Sequence, residues 1–190
     1  MRHITLITTG GTIEKTYDEQ TGELSNRRTV VRRMLKRLRL EDTTISIIEL
    51  LSKDSLHMTD DDRDSIVKAL DACGADRPAS TQPQPPGAAP PAPIQHRGVV
   101  ILHGTDTLAT TGQYVLTHLS PIAVPIVLTG AMRPFEMVRS DALQNLTEAI
   151  FAAGALAELA RPGVYCAAHG RVLAFPGVRK DRERSTFVKV

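Results

Sequence analysis

Short apolar runs alternate along this chain with longer segments in which apolar residues recur every three or four positions. Runs rich in β-branched residues are typical of buried strands, whereas the longer period is typical of helices with one apolar face. The predicted strands lie at residues 3–9, 43–51, 98–102, 124–129 and 164–168. The predicted helices lie at residues 28–39, 59–73, 108–119 and 140–153. This alternation predicts an α/β fold in a single domain over residues 1–190: a doubly wound, mainly parallel sheet with helices on both faces, flavodoxin-like or Rossmann-like.

Three segments interrupt the alternation. Residues 13–26 are polar and aperiodic, and we expect a loop or hairpin that covers the end of the first strand as a lid. Residues 74–97 contain seven of the chain's twelve prolines. We expect this insertion to be extended or disordered, because its composition cannot build a core. Residues 171–178 are expected to form a short hairpin near the end of the chain.

Composition narrows the classes of function. The chain has 190 residues, of which 42% are hydrophobic and 23% charged, and its formal net charge is +2. These values are typical of a soluble globular protein and give little support for a nucleic-acid partner. Basic residues concentrate in the helix at 28–39, where a solvated helix face explains them better than an anionic partner. Cys73 and Cys166 match no metal-binding spacing, and we expect two unpaired thiols.

Membrane association and export are not predicted. No segment approaches the roughly 18 consecutive apolar residues that a membrane-spanning helix needs. The amino terminus starts with a strand and shows no basic leader followed by an apolar stretch. We therefore expect a cytoplasmic protein that does not act at a membrane.

Glycines and hydroxyl residues directly follow two of the predicted strands. The first strand runs into TTGGT at residues 8–12, and the strand at 98–102 runs into HGTDT at residues 103–107. Ligands bind at the carboxyl ends of parallel strands, so a site should lie at these turns if the strands are neighbours. The glycine spacing matches neither the dinucleotide-binding pattern nor the P-loop. Each turn alone could be a tight connection, with Asp106 capping the helix that follows.

In combination these residues can support acyl transfer. Thr12, Ser55, Thr105 and Asp106 would all lie at the carboxyl ends of parallel strands. A threonine hydroxyl becomes a nucleophile when a base removes its proton, and a buried lysine with a lowered pKa can be that base. The chain has six lysines, and their spacing does not identify the one that reaches the site.

Three motifs carry a resemblance to a known family. They are TGGTI at residues 9–13, HGTDT at residues 103–107 and GAMRP at residues 130–134, in this order. With these motifs the chain resembles the bacterial-type L-asparaginases over nearly its whole length outside the proline-rich insertion. The resemblance implies hydrolysis of the side-chain amide of L-asparagine to L-aspartate and ammonia through an acyl-enzyme on a threonine.

The resemblance also implies roles for single residues. Thr12 would be the primary nucleophile, and Thr105, Asp106 and Lys180 would form a hydrogen-bonded set that moves protons and activates water. Tyr17 is the candidate for the family's lid tyrosine. Groups that would bind the substrate are the Ser55 hydroxyl, which holds the α-carboxylate, and main-chain groups of Gly11, Gly104, Thr105 and Ala131. No metal or cofactor is implied, and a homodimer or homotetramer is expected.

The chain departs from the family pattern in two respects. It resembles the short members, which consist of the amino-terminal domain, and Leu56 follows Ser55 where many relatives have glutamine. Recognition of the substrate's α-amino group is therefore open, with Asp54, His57 and Asp106 as alternatives, and so is the preference between L-asparagine and L-glutamine. Two other functions stay open: an amino-acid-binding regulatory module without turnover, and an amidotransferase-type subunit of a larger complex.

Overall fold

The computed structural model describes residues 1–26, 29–76 and 96–190. Within these ranges the chain forms one six-stranded sheet, two two-stranded hairpins and helices on both faces of the large sheet. The strands are β1 (Arg2–Gly10), β2 (Thr16–Asp18), β3 (Glu23–Ser25), β4 (Thr43–Lys53), β5 (His96–Leu102), β6 (Pro125–Thr129), β7 (Gly163–Ala168), β8 (Arg171–Ala174), β9 (Val178–Asp181) and β10 (Thr186–Lys189). The helices are α1 (Val31–Leu35), α2 (Asp60–Ala72), α3 (Leu108–His118) and α4 (Ala142–Glu158).

The large sheet has the strand order β4-β1-β5-β6-β7-β8. The first five strands are parallel, and β8 pairs antiparallel with β7 at one edge. The order of the parallel strands is that of the flavodoxin-like fold, in which the chain reverses its direction of winding between β1 and β5. The predicted doubly wound, mainly parallel α/β fold is confirmed.

The sheet is covered on both faces because its central strands are apolar on both sides. Along β1, Ile7 packs in one cluster with α2 and α3, whereas Leu6 packs in another cluster with α1 and α4. Along β5, Ile101 and Leu102 divide in the same way. Such continuous apolar strands are what parallel sheets with two covered faces require.

The structure confirms the expected start of α2 but gives α1 and α4 lengths that differ from the expected ones. The predicted capping box of α2 is confirmed: the Thr59 hydroxyl accepts from the Asp62 N–H, and Asp62 accepts from the Thr59 N–H. α4 extends to Glu158, beyond the expected end at 153. α1 has only five helical residues, fewer than expected for 28–39. Its N-cap position is Val30, whose side chain cannot cap the helix, and its first turn has no acidic residue to favour the dipole.

The hairpin expected at 171–178 is wrong. β8 instead pairs with β7 through a turn in which His169 and Gly170 both have positive φ, and β9 pairs with β10. Pro176 lies between β8 and β9, where it lacks an N–H to continue a ladder.

The limits expected for the proline-rich insertion, 74–97, are wrong at both ends. Ala75 is buried in the core and accepts a main-chain hydrogen bond of 2.9 Å from Ala123. Residues 96 and 97 belong to β5 and pair with β1. The rest of that prediction, residues 77–95, lies outside the described residues.

Candidate active site

The ends of β1 and β5 meet at the point where the winding reverses. Thr8 and Leu102 are register partners, so the turns that follow these strands lie side by side. Gly11 has φ of +83°, and a Cβ on it would lie 2.4 Å from the main-chain nitrogen of Gly104. Only glycine allows this conformation and this approach. The first glycine turn therefore packs directly on the second.

Two further strand ends close around the same turn. A Cβ on Gly104 would lie 2.4 Å from the Ser55 hydroxyl, and a Cβ on Gly130 would lie 2.3 Å from the His103 carbonyl oxygen. The Thr107 hydroxyl donates a hydrogen bond of 2.9 Å to the Ser55 carbonyl. The turns after β1, β4, β5 and β6 thus form one continuous surface at the carboxyl edge of the sheet.

Lys180 reaches this edge from β9. Its ammonium donates to the Thr105 hydroxyl at 2.8 Å and to Asp106 Oδ1 at 3.0 Å. The lysine side chain is 17% exposed. The Thr105 oxygen accepts this bond, so its own proton is free to be donated to another group. The structure thereby brings Lys180 to the adjacent residues Thr105 and Asp106, a contact that its position in the sequence could not show.

Thr12 lies in a single 3-10 turn directly after Gly11. The next residue, Ile13, is fully buried and anchors the turn in the core, while Thr12 itself is half-buried. Within the described residues the Thr12 hydroxyl forms no hydrogen bond, to Lys180 and Thr105 included. Thr12 belongs to the turn that packs on Gly104.

The segment 13–26 forms the β2–β3 hairpin, as one of the expected alternatives. Tyr17 is 60% exposed on β2 and lines a mostly apolar cavity of about 400 Å³ between the hairpin and residues 134–137. Its hydroxyl forms no hydrogen bond with another described residue. The structure does not bring Tyr17 into contact with Thr12.

Both ends of this hairpin are fixed to the end of β4. The Lys15 ammonium lies 2.7 Å from Asp54 Oδ2, and the Ser52 hydroxyl donates to the Asn26 carbonyl at 3.0 Å. Asp54 also accepts the Leu56 N–H, which starts the short turn that carries Ser55. The hydrogen bonds from Lys15 and then from Leu56 lower the pKa of Asp54.

Glu14 supports the first glycine turn from behind. Its carboxylate is 3% exposed, accepts the Gly10 N–H at 3.0 Å and contacts the Thr29 hydroxyl. Burial raises the pKa of Glu14, and the hydrogen bonds from Thr29 and Gly10 only partly offset that effect. This contribution was not predicted, because an isolated glutamate in a polar segment gives no signal of burial.

Ala131 is held in place by a buried polar network that sequence reasoning missed. Asn145 donates to the Gly130 carbonyl at 2.8 Å, and Asp141 accepts the Met132 N–H at 2.9 Å. His169 Nε2 lies 2.8 Å from Asp141. Burial alone would raise the pKa of Asp141, but the Met132 N–H and His169 lower it overall. The spacing of Asp141 and Asn145 by one helical turn was the available signal.

His103 connects the second glycine turn to the helices behind it. Its Nδ1 lies 2.8 Å from the Gly104 carbonyl and its Nε2 lies 2.8 Å from the Thr111 hydroxyl. A carbonyl can only accept, so Nδ1 carries the proton and Nε2 accepts from Thr111. Burial lowers the pKa of His103 to about 4. The ring is therefore neutral at pH 7.

Three further findings concern the cysteines, possible metal-binding groups and possible membrane-spanning helices of the described residues. Cys73 and Cys166 are unpaired thiols, and burial raises the pKa of the Cys166 thiol to about 12. In the described ranges no group of three or more histidine, cysteine and acidic side chains is placed to bind a metal ion. No helix in the same ranges is long and apolar enough to span a membrane.

Two known proteins are similar in sequence to part of this chain. L-asparaginase of Thermococcus kodakarensis is 36% identical over 86 residues, which are 45% of this chain and 25% of that protein. A glutamyl-tRNA(Gln) amidotransferase subunit of Methanococcus vannielii is 39% identical over 75 residues, which are 40% of this chain and 16% of that protein.

A solved structure covers nearly the whole fold. The thermostable L-asparaginase from Thermococcus kodakarensis superposes with a TM-score of 0.76 at 25% identity, over 99% of this chain and 51% of that chain. The present chain thus spans about half the length of that protein. The family model described as "Asparaginase, N-terminal" matches residues 3–80 and 92–187. On this match, the chain belongs to the asparaginase family.

Proposed function

We propose that this protein is an amidohydrolase that converts L-asparagine to L-aspartate and ammonia through an acyl-enzyme on Thr12. The observation that carries the proposal is the pair of hydrogen bonds from Lys180 to Thr105 and Asp106, on the surface that also presents the free Thr12 hydroxyl. Family membership and the similarity to L-asparaginase of Thermococcus kodakarensis support the reaction class.

The first half-reaction forms the acyl-enzyme. The Thr12 oxygen attacks the side-chain amide carbon and a C–O bond forms. The hydroxyl proton passes through Thr105 to Lys180, which has first given a proton to the Asp106 carboxylate. Main-chain N–H groups near Gly11 and Thr12 are the proposed donors to the developing oxyanion. The C–N bond then breaks, and the nitrogen leaves as ammonia after it takes up a proton.

The second half-reaction hydrolyses the ester on Thr12. Water attacks the acyl carbon and gives a proton through Thr105 to the Lys180 amine. The C–O bond to Thr12 then breaks, the Thr12 oxygen takes that proton back, and the acid product leaves and ionises in water. Thr105 suits the transfer because it accepts from Lys180 and keeps its own proton for donation. Asp106 compensates the lysine charge.

The remaining residues are assigned to substrate binding. The Ser55 hydroxyl would hold the α-carboxylate, the main chain of Gly11 and Gly104 would line the site, and the Ala131 carbonyl would accept from the substrate amide. Tyr17 is assigned to the lid, where closure over substrate would be required to bring it to Thr12. A homodimer or homotetramer in the cytoplasm remains part of the proposal.

The test is ammonia release from L-asparagine at millimolar concentration. The native chain is compared with Thr12→Ala and Lys180→Ala, and with Lys68→Ala, an exposed lysine on α2, as the control. Both site variants should lose activity by roughly 10²-fold or more, because a positioned group that transfers protons contributes about 10²- to 10⁴-fold. L-Glutamine and D-asparagine are run alongside to define the preference.

Two alternatives remain, and the same assay separates them. An amidotransferase-type role is favoured by the similarity to the amidotransferase subunit of Methanococcus vannielii, and it requires that a partner raise the activity. An amino-acid-binding module would release no ammonia, although L-asparagine would still raise its melting temperature. Either result would contradict an independent asparaginase.

A further inference from the structure

Asp106 is paired with two cations through the same oxygen. Its Oδ1 lies 3.0 Å from the Lys180 ammonium and 3.2 Å from the Arg182 guanidinium. The two cations differ in position, since the Lys180 side chain is 17% exposed and the Arg182 side chain is 73% exposed. Lys180 is thus the inner partner, and Arg182 lies at the mouth of the site.

The ion pairs of Asp54 and Asp106 together carry one excess positive charge. The described ion pairs contain the carboxylates of Asp54 and Asp106, and the cations of Lys15, Lys180 and Arg182. An ammonium group brought to Asp106 would meet two cations already on that carboxylate, and like charges at this range disfavour each other. A ligand with one net negative charge suits the region better than a zwitterion.

Arg182 has donors left for such a ligand. A guanidinium carries five N–H donors in a planar fork, and carboxylates often bind two of them at once. The contact with Asp106 is an ion pair through one nitrogen, and the Arg182 side chain forms no hydrogen bond within the described residues. Ser55, which is 1% exposed on the neighbouring turn, also has a hydroxyl without a partner there.

We propose that Arg182 binds the substrate's carboxylate, so that the site accepts monoamides of dicarboxylic acids without an α-amino group at least as well as L-asparagine. Succinamate, which differs from L-asparagine only in the missing amino group, is the simplest such substrate. This inference rests on the proposed amidohydrolase function. According to this inference, Arg182, the second cation at Asp106, determines which amides the site prefers.

The experiment compares kcat/KM for succinamate and L-asparagine, measured as ammonia release. The variants are Arg182→Gln and, as a matched control on the same hairpin, Arg184→Gln, whose main-chain N–H binds Asp181. Arg182→Gln should lower kcat/KM for succinamate about 10-fold, mainly through KM, because a charge-assisted hydrogen bond is lost. The loss with L-asparagine should stay below about 3-fold, because Asp106 becomes free for its ammonium. Arg184→Gln should leave both values unchanged.

Other results would overturn the inference. A native kcat/KM that is higher for L-asparagine than for succinamate would contradict it, and so would an equal response of both substrates to Arg182→Gln. In those cases a Thr12-dependent release of ammonia would leave the proposed function standing. If neither amide is hydrolysed, or if Thr12→Ala matches the native rate, the proposed function fails and the inference fails with it.

Discussion

The amide nitrogen of Asn145 donates a hydrogen bond of 2.8 Å to the carbonyl of Gly130. Asn145 is 1% exposed and also accepts the His169 N–H at 3.0 Å through its amide oxygen. One side chain in the first turns of α4 therefore fixes the turn after β6 to the turn after β7. The position of Ala131, the proposed acceptor for the substrate amide, depends on this link.

Replacement of Asn145 by leucine should destabilise the fold and weaken substrate binding. It leaves the buried Gly130 carbonyl and the partly buried His169 N–H without their partner, at a cost of about 2–4 kcal/mol in the free energy of unfolding. Urea unfolding measures this loss, and Gln144→Leu on the exposed face of α4 is the control. An Asn145→Leu variant as stable as that control would show that the network does not hold the turn.

Acid should destabilise the protein through His103. The pKa of His103 is lowered from 6.5 to about 4 in the folded state, so the unfolded state binds more protons between these values. Stability is then present above pH 6.5 and is lost as the pH falls towards 4, by a total of about 3 kcal/mol.

Unfolding measured from pH 7 to pH 4 checks this prediction. The difference in stability between the native chain and His103→Gln should shrink as the pH falls, because glutamine can bind Gly104 and Thr111 without titrating. The exposed His118→Gln variant should keep the native acid response. An unchanged acid response in His103→Gln would contradict the assignment.

The close contact of the two glycine turns predicts a steep penalty at Gly11. A Cβ there would lie 2.4 Å from the Gly104 main chain at φ of +83°, so Gly11→Ala should cost about 3 kcal/mol or more and abolish activity. Gly22 in the lid has φ of +71° but nothing within 4 Å of a Cβ. Gly22→Ala should therefore cost only about 1 kcal/mol. Equal unfolding midpoints for the two variants would refute close packing at Gly11.

The pair of Lys15 and Asp54 predicts that the lid is tethered to the substrate-binding turn. Lys15→Met should release one end of the β2–β3 hairpin and raise KM about 3- to 10-fold with little change in kcat, the size expected for one partly exposed charged hydrogen bond. Limited proteolysis within residues 15–26 should become faster. The exposed Lys36→Met variant is the control, and a KM unchanged from that control would argue against a tether.

The sequence predicted the parts of this architecture that depend on local patterns. Apolar runs predicted the strands β1 and β5, and the capping box at Thr59 predicted the start of α2. The alternating order of strands and helices then predicted that Thr105 and Asp106 lie at the carboxyl edge of a parallel sheet. Asn145 and Glu14 escaped prediction because a polar side chain on a helix or in a loop gives no sign that it is buried. The Arg182 contact joins residues 76 positions apart across a hairpin whose placement only the fold provides.

Predicted boundaries of segments were wrong where the structure depends on more than local composition and apolar spacing. Ala75 borders the proline-rich segment yet packs in the core, because its carbonyl binds Ala123 before β6. Helix α1 is short and begins after Val30, a residue that cannot cap it, which a count of apolar spacing ignores.

The most direct test of the account is whether Lys180 and Thr105 act as one unit in catalysis. We would measure kcat for L-asparagine hydrolysis in Lys180→Ala, Thr105→Val and the double variant. Each single change should lower kcat by roughly 10²-fold or more, and the double variant should lose little beyond the worse single one, as expected for residues that transfer the same proton. Losses that multiply in the double variant, or single variants with native kcat, would contradict the proposed mechanism.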